Sequence, residues 1–488
     1  MRLTAAAAGT LVVRPERLFA KNALDEVRLP EVGRLSSLSS KTIKASPFSV
    51  GFETLDRRMF EPKRTYESLE KLGVKHARVQ TGWARCEIIK GRYDFRWLDE
   101  VVDALLTHGI QPWFSLGFGN RLYTPDAPTA VAVGYAPIFT DEARAGWSAF
   151  VEAISSHFAD RVRLWEIWNE PNGKTKTFWR PNGPNPVEYV ELVKLTAPLL
   201  RRRIHDVTVI GLALAYCDIE YLEKAIKAGL GDYVDRISIH PYGAFPEKPT
   251  QAEDGYGNFI GRVIQLVQSE APTVRLWMGE CGCPSARSTE KVVRNPMVML
   301  PWNEQRQAKW LLRRLLMDLS HDLELISYFH TVDLLNYDWG NGPTDYNQRL
   351  GVLRGEDYSP KPSYFAYQSL CTLFDSQTRH EANLAIMCNG APDETFQSVG
   401  FSRNGCGVYA WWSAVDLFED YAPRTISLQV STRENATLQQ PVLIDPMSQQ
   451  VYRLTGKTTG HDKLTFDRLP LRDYPLIVTD RSVVRVEG

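Results

Sequence analysis

Two glutamates stand where a carboxylate is costly to place. Glu170 closes the aromatic run RLWEIWNEPNG (163–173), and Glu280 lies near the end of RLWMGECG (275–282). An acid at the end of an apolar stretch is partly desolvated, which raises its pKa and suits it to hold a proton near neutral pH. Two such groups facing each other across a cleft are the machinery of glycosidic-bond cleavage. One, protonated, serves the leaving oxygen; the other, ionised, meets the anomeric carbon. Other groups of suitable chemistry fall at similar places: Arg78 in HARVQTGW (76–83), and His240 with Tyr242 in RISIHPYG (236–243). Asn169 precedes the first glutamate, and Pro171 follows it and ends a strand ladder. Trp83 and Trp339 are candidate faces on which a sugar could stack, while Trp113, Phe118, Trp179 and Trp302 read as core. Glu166, four residues before Glu170, falls on the same side of a strand and lies deeper, so it needs a cationic partner. Arg78 is the candidate for that role.

These side chains work together only if a scaffold gathers them. Eight short apolar runs are separated by amphipathic helix patterns: 48–53, 76–83, 111–119, 163–170, 208–215, 236–243, 275–282 and 326–334. The clearest helix runs from Phe95 to His108, with Leu98, Val101, Val102, Leu105 and Leu106 on one stripe. Asp94 is its expected N-cap, and Gly109 its stop. A second spans Asp141 to Phe158. Eight strand–helix alternations are the count that closes a (β/α)8 TIM barrel. An open doubly wound sheet is the rival, but no glycine-rich phosphate loop follows the first strand. The helix-to-strand links are short and the strand-to-helix loops long, which spends the extra chain around the C-terminal mouth, where barrel enzymes do their chemistry. Strands four and seven lie on opposite sides of an eight-strand ring, so Glu170 and Glu280 are expected to face each other.

Beyond Phe374 the helical periods give way to short strands with turn signals, an antiparallel β-sandwich. We therefore expect a barrel over 46–374, an accessory β-domain over 375–488, and N-terminal strands within 1–45 (TLVVRPERL and DEVRLP) that join the β-domain.

Bulk properties narrow the function classes. The 488 residues carry a formal net charge of -1, so no global field favours nucleic acid. Arg201-Arg202-Arg203 reads as a solvated helix face. No apolar run is long enough for a membrane-spanning helix. The start, MRLTAAAAGTLVV, lacks a convincing cleavage site, and the seven cysteines are scattered and odd in number. A cytoplasmic location is the expectation, with secretion left open. Cys281 and Cys283 read as buried thiols.

The run WEIWNEP resembles the acid/base signature of the clan A glycoside hydrolases, the large group built on a (β/α)8 barrel. ISIHPYG, the closing SPKPSYFAYQSL and the β-sandwich tail are most similar to family 39. The resemblance covers about residues 46–374 and implies a retaining mechanism of two displacements, with Glu280 as nucleophile and Glu170 as acid/base. It implies carboxyl groups about 5–5.5 Å apart, Asn169 on the sugar 2-hydroxyl, and Arg78, His240 and Tyr242 holding Glu280 ionised and aimed. It implies β-xylosidase-like or β-glycosidase-like action on an oligosaccharide or polysaccharide, with no metal or other cofactor, and leaves a homo-oligomer open. One departure stands out: the nucleophile in related enzymes often follows Thr, and here it follows Gly279. The alternatives are a non-catalytic carbohydrate-binding protein, an endo-acting hydrolase of the same clan, and a metal-dependent hydrolase using His240 with Asp333 or Glu280.

Overall fold

In the computed structural model, the described residues are 27–173, 178–179, 183–216, 218–247, 255–289, 296–389, 395–433 and 435–487. Eight parallel strands close into a barrel: Phe48–Gly51, His76–Gln80, Gln111–Leu116, Leu164–Ile167, Thr208–Ala215, Arg236–His240, Arg275–Cys281 and Ile326–Tyr328. Closure is direct, because the first strand pairs with both the second and the eighth. The crossover helices follow from the apolar stripes. Arg96–Thr107 buries Leu98, Val101, Val102 and Leu105 against the barrel. Its N-cap position is Phe95, one residue later than expected, although the Asp94 carboxylate still accepts the Arg96 N–H at 3.1 Å. Asp141–Phe158 begins at Thr140, whose hydroxyl accepts the Ala143 N–H at 3.1 Å.

All but the fifth strand are shorter than their apolar runs. The fourth stops at Ile167, so Glu170 lies three residues past it, and the ladder ends before Pro171 is reached. The reason is backbone conformation: Trp168 and Glu170 both take positive φ, 68° and 48°, which no regular strand accommodates.

The C-terminal part forms two antiparallel sheets, one of eight strands and one of four. Glu31–Leu35 joins the larger sheet by pairing with Gln450–Arg453. TLVVRPERL lies outside the described residues. Within DEVRLP, residues 27–30 are not strand; pairing starts after Pro30, which has no N–H to offer a ladder. The β-domain is tied to the barrel through Glu247 in the loop after the sixth strand. Its carboxylate accepts Arg313 Nε at 2.7 Å and Trp412 Nε1 at 2.8 Å, and Arg313 Nη1 donates to the Val415 carbonyl at 3.0 Å. Among the described residues no helix is long and apolar enough to cross a membrane.

A second buried knot holds the loops after strands seven and eight. Lys361 Nζ donates to Ser285 Oγ at 2.7 Å, Asp333 Oδ1 at 2.6 Å and the Gly351 carbonyl at 2.8 Å. Both ion-pair side chains are 1% exposed. Removing one partner of such a pair leaves an uncompensated buried charge, so Lys361→Met is expected to cost about 3 kcal/mol of stability. Urea denaturation of the two proteins side by side measures it; a loss under about 1 kcal/mol would mean that the pair is not water-free.

Candidate active site

The residues past the fourth strand are held by main-chain bonds to its neighbours. Trp168 N–H donates to the Leu116 carbonyl, and Glu170 N–H to the Ala213 carbonyl, both at 3.0 Å. The Asn172 side chain then clasps Ala215 in both directions, accepting its N–H at 2.8 Å and donating to its carbonyl at 2.9 Å. The left-handed turn thus presents Glu170 at the mouth on a rigid base. Glu280 comes from inside the seventh strand, one residue before its end. Gly279 before it is a steric necessity: a Cβ there would lie 2.0 Å from Ser238 Oγ and 3.0 Å from His240 Nε2. The threonine position of related enzymes is filled here by the side chains of strand six.

Arg78, wholly buried on the second strand, is the centre of the site. Its Nε donates to Glu166 Oε2 at 2.9 Å, and its Nη2 bonds the same oxygen. Nη2 also reaches Asn169 Oδ1 at 2.8 Å. Nη1 donates to Glu53 Oε1 at 3.0 Å and to Glu280 Oε1. Tyr242 Oη donates to the other Glu280 oxygen at 2.8 Å. Both oxygens of Glu280 therefore accept hydrogen bonds from donors.

Glu170 has a different environment. Burial pushes its pKa from an ordinary 4.5 up to about 7, the positive charge of Arg78 opposing and the negative charge of Glu166 adding. Its side chain is 18% exposed, so it still meets the cleft. His240 Nδ1 lies 3.2 Å from Glu170 Oε1 and 3.6 Å from Glu280 Oε1. Burial depresses the imidazole to about 4, so it is neutral and can exchange hydrogen bonds with either acid without adding charge. Ligand atoms of Glu170, His240 and Glu280 all lie within 4.8 Å of one another. One oxygen of Glu170 and one of Glu280 are thus close enough to flank a single bond.

The same trio could in principle grip a metal ion. A dication there would compete with Arg78 for Glu280 Oε1 and with Tyr242 for Oε2, so the donor set suits protons better. Asp333, the other metal candidate, is spent on Lys361.

Some candidate residues do not touch the cleft. Trp83 is fully buried; its Nε1 donates to Glu87 at 2.6 Å, and its ring stacks on Tyr123 and Phe150. It is core rather than a sugar platform, because the chain turns into a helix at Trp83–Cys86 and carries the ring away from the mouth. Arg78 and His240 are likewise fully buried, and so sit behind the carboxylates rather than against substrate. Asn169 is 7% exposed with Oδ1 turned to Arg78. Trp339 is half-buried on the loop after strand eight, 4.6 Å from the Tyr337 ring. Trp113, Phe118, Trp179 and Trp302 are buried. Two residues escaped sequence reasoning. Tyr216, at the end of strand five, is 41% exposed, and its phenol feels the charge of Glu170. Glu53 is buried just past strand one, and the rule that singled out Glu170 and Glu280, an acid closing an apolar run, applies equally to FSVGFE.

The sequence matches the model of glycosyl hydrolases family 39 over residues 84–422. It is 25% identical over 299 residues to a β-xylosidase of Caldicellulosiruptor saccharolyticus, covering 57% of this chain and 56% of that protein. It is 29% identical over 179 residues to a β-xylosidase of Geobacillus stearothermophilus, covering 33% of each. The matched segments thus span about a third to a half of those relatives' lengths. In fold it is similar to a family 39 glycoside hydrolase from the gut symbiont Bacteroides cellulosilyticus WH2, with a TM-score of 0.65 and 21% identity over 92% of this chain and 83% of that one.

The raised pKa of Glu170 has a signature in stability. The acid ionises near 4.5 in the unfolded chain and near 7 in the folded one, so folding favours the protonated form and its contribution is lost as pH rises between those values. Glu170→Gln removes this loss. The variant's stability relative to the unaltered protein should grow from pH 5 to 7 and level off above, by up to about 3 kcal/mol. Parallel denaturation curves across that range would contradict the assignment.

Proposed function

Because the chain belongs to glycosyl hydrolases family 39, we propose that it is a retaining glycosidase in which Glu280 is the nucleophile and Glu170 the acid/base. The observation that carries this reading is the split between the two acids. One accepts hydrogen bonds from Arg78 and Tyr242 on its two oxygens; the other is pushed by burial to about 7, with an oxygen within 4.8 Å of it.

In the first step Glu280 attacks the anomeric carbon, the bond to the leaving oxygen breaks, and that oxygen takes the Glu170 proton. Esterified Glu280 has lost its charge, so Arg78 is less compensated. Its field then lowers the pKa of Glu170, which becomes the base for the second step. Glu170 takes a proton from water, the water oxygen bonds the anomeric carbon, and the ester to Glu280 breaks. The configuration is inverted twice and so retained. Asn169, fixed by Arg78, is placed for the sugar 2-hydroxyl beside Glu280, and Tyr216 and Trp339 are the aromatic faces available for stacking.

The curated relatives' names support a β-linked xyloside as the first substrate to try. A protein that only binds carbohydrate has no use for two facing carboxylates in such different surroundings. That reading is favoured only if saturable sugar binding is found with no turnover on any aryl glycoside.

Glu280→Gln should abolish hydrolysis of aryl β-xylosides. Glu170→Ala should lose about 10²–10⁴-fold on poor leaving groups, less on activated ones, and recover with azide to give the azide of retained configuration. Azide rescue at position 280 with inversion is compatible with these roles, whereas rescue with inversion at position 170 would exchange them. For poor leaving groups kcat/KM should fall above about pH 7 as Glu170 loses its proton.

A further inference from the structure

The site holds two acids that the two displacements do not use: Glu166, paired with Arg78, and Glu53. We propose that Glu53 is a positioning residue kept as a neutral carboxylic acid, giving its Oε2 hydrogen to Nε2 of His330, so that the charge of Arg78 is shared by Glu166 and Glu280 alone. The proposal rests on the reading of Glu280 as nucleophile and extends it to what keeps that nucleophile charged.

Three observations carry it. The first is a pair of orphans. Glu53 Oε2 and His330 Nε2 are both buried, and among the described residues neither has a hydrogen-bond partner of good geometry, the Glu53 backbone also lying against the imidazole. The two atoms face each other at 3.5 Å, with the side chains 2% and 1% exposed. One proton between them satisfies both, and Gly51 keeps the space open, since a Cβ there would lie 2.5 Å from Glu53 Oε2.

The second is the charge count. Glu53, Glu166 and Glu280 all bond the single guanidinium of Arg78. If all three were ionised, the water-free cluster would carry two uncompensated negative charges, a state that burial penalises strongly. His330 cannot supply a positive charge, because burial depresses its imidazole to about 4. The remaining titratable group facing Glu53 is Tyr242, whose phenol is spent on Glu280 and pushed well up by burial. The cheapest relief is a proton on Glu53, whose carboxyl burial raises to about 8.

The third is the imidazole's other nitrogen. Nδ1 lies 3.1 Å from the Val332 carbonyl and 3.4 Å from the Val332 N–H. The shorter contact places the ring hydrogen on Nδ1, leaving Nε2 as an acceptor for the Glu53 hydroxyl. The rival state has Nε2–H donating to an ionised Glu53, with Nδ1 accepting the longer bond.

The consequence lies at Arg78 Nη1, which bridges Glu53 Oε1 and Glu280 Oε1. A neutral Glu53 competes weakly for that donor. An ionised one would draw it away from the nucleophile and set a like charge beside it.

The two states differ in the tautomer of His330, which nitrogen-15 NMR reads in the unaltered protein labelled at histidine, with the resonance assigned by its loss in His330→Gln. At pH 6 the hydrogen is expected on Nδ1, with Nε2 bare and hydrogen-bonded. Finding it on Nε2 overturns the proposal, and this readout needs no substrate, so it stands apart from any failure of the glycosidase assignment. Variants give a second test. Glu53→Gln reproduces a neutral donor toward His330 and an acceptor toward Arg78, whereas Glu53→Ala supplies neither. Both lower kcat/KM, but Gln should restore at least tenfold over Ala, and its thermal midpoint should fall less than the unaltered protein's between pH 5 and 8. The sign follows because a raised carboxyl loses its contribution as pH climbs to the folded value. A Gln variant no better than Ala, with a midpoint falling in parallel, would show that the anion is what the site requires.

Discussion

One guanidinium surrounded by carboxylates is the constraint on which the rest of the structure turns. Arg78 has no access to water, and its donors bond Glu53, Glu166, Glu280, Asn169 and Ser115. A cation can be buried so deeply only if anions are buried with it. The carboxyl groups bonded to Arg78 come from the first, fourth and seventh barrel strands or the residues just past them. Their attraction to one centre sets the positions of the strand ends, and Trp113 covers the guanidinium from below, its ring centroid 5.4 Å away. The price is a concentration of like charge that protonation must relieve somewhere. The site resolves this by giving its acids unequal surroundings.

That inequality is what makes the cluster chemical rather than structural. Glu280 accepts hydrogen bonds from Arg78 and Tyr242, one on each oxygen. Glu170 stands past the end of a strand, reached among the described residues by a neutral imidazole at 3.2 Å, and burial governs it. The distinction comes from the number of donors each meets, not from the residue type. Gly279 belongs to the same design: without a side chain there, Ser238 and His240 close in behind the nucleophile. The β-domain and the Lys361 knot act at a distance, holding the loops after strands six, seven and eight so that the mouth keeps its shape.

Much of this was readable in the chain itself. Period and loop length announced eight parallel strands around a mouth, and WEIWNEP and MGECG marked the two acids. The pairing of Glu166 with Arg78 was also accessible, from strand alternation and the cost of a buried charge. Trp83 was misread because spacing along a strand does not reveal where the strand stops. Three residues beyond Gln80 the chain has turned into a short helix, and the indole points into the core. Tyr216 was missed because its exposure depends on the Ala213–Tyr216 backbone, where φ is positive at both ends.

The sequence by itself determined the fold class, because hydrophobic periodicity and loop asymmetry are local properties that survive without coordinates. It also determined which two acids could meet, because in a closed ring of eight the fourth and seventh strands face one another. Tertiary structure alone decided the surroundings of each acid. Those are the donors and charges within a few ångströms, brought from strands far apart in the chain, and no local pattern records them. Glu53 is the clearest case: FSVGFE marks it as an acid closing an apolar run, but its chemistry is set by Arg78, Glu280 and His330, which reach it only when the barrel closes.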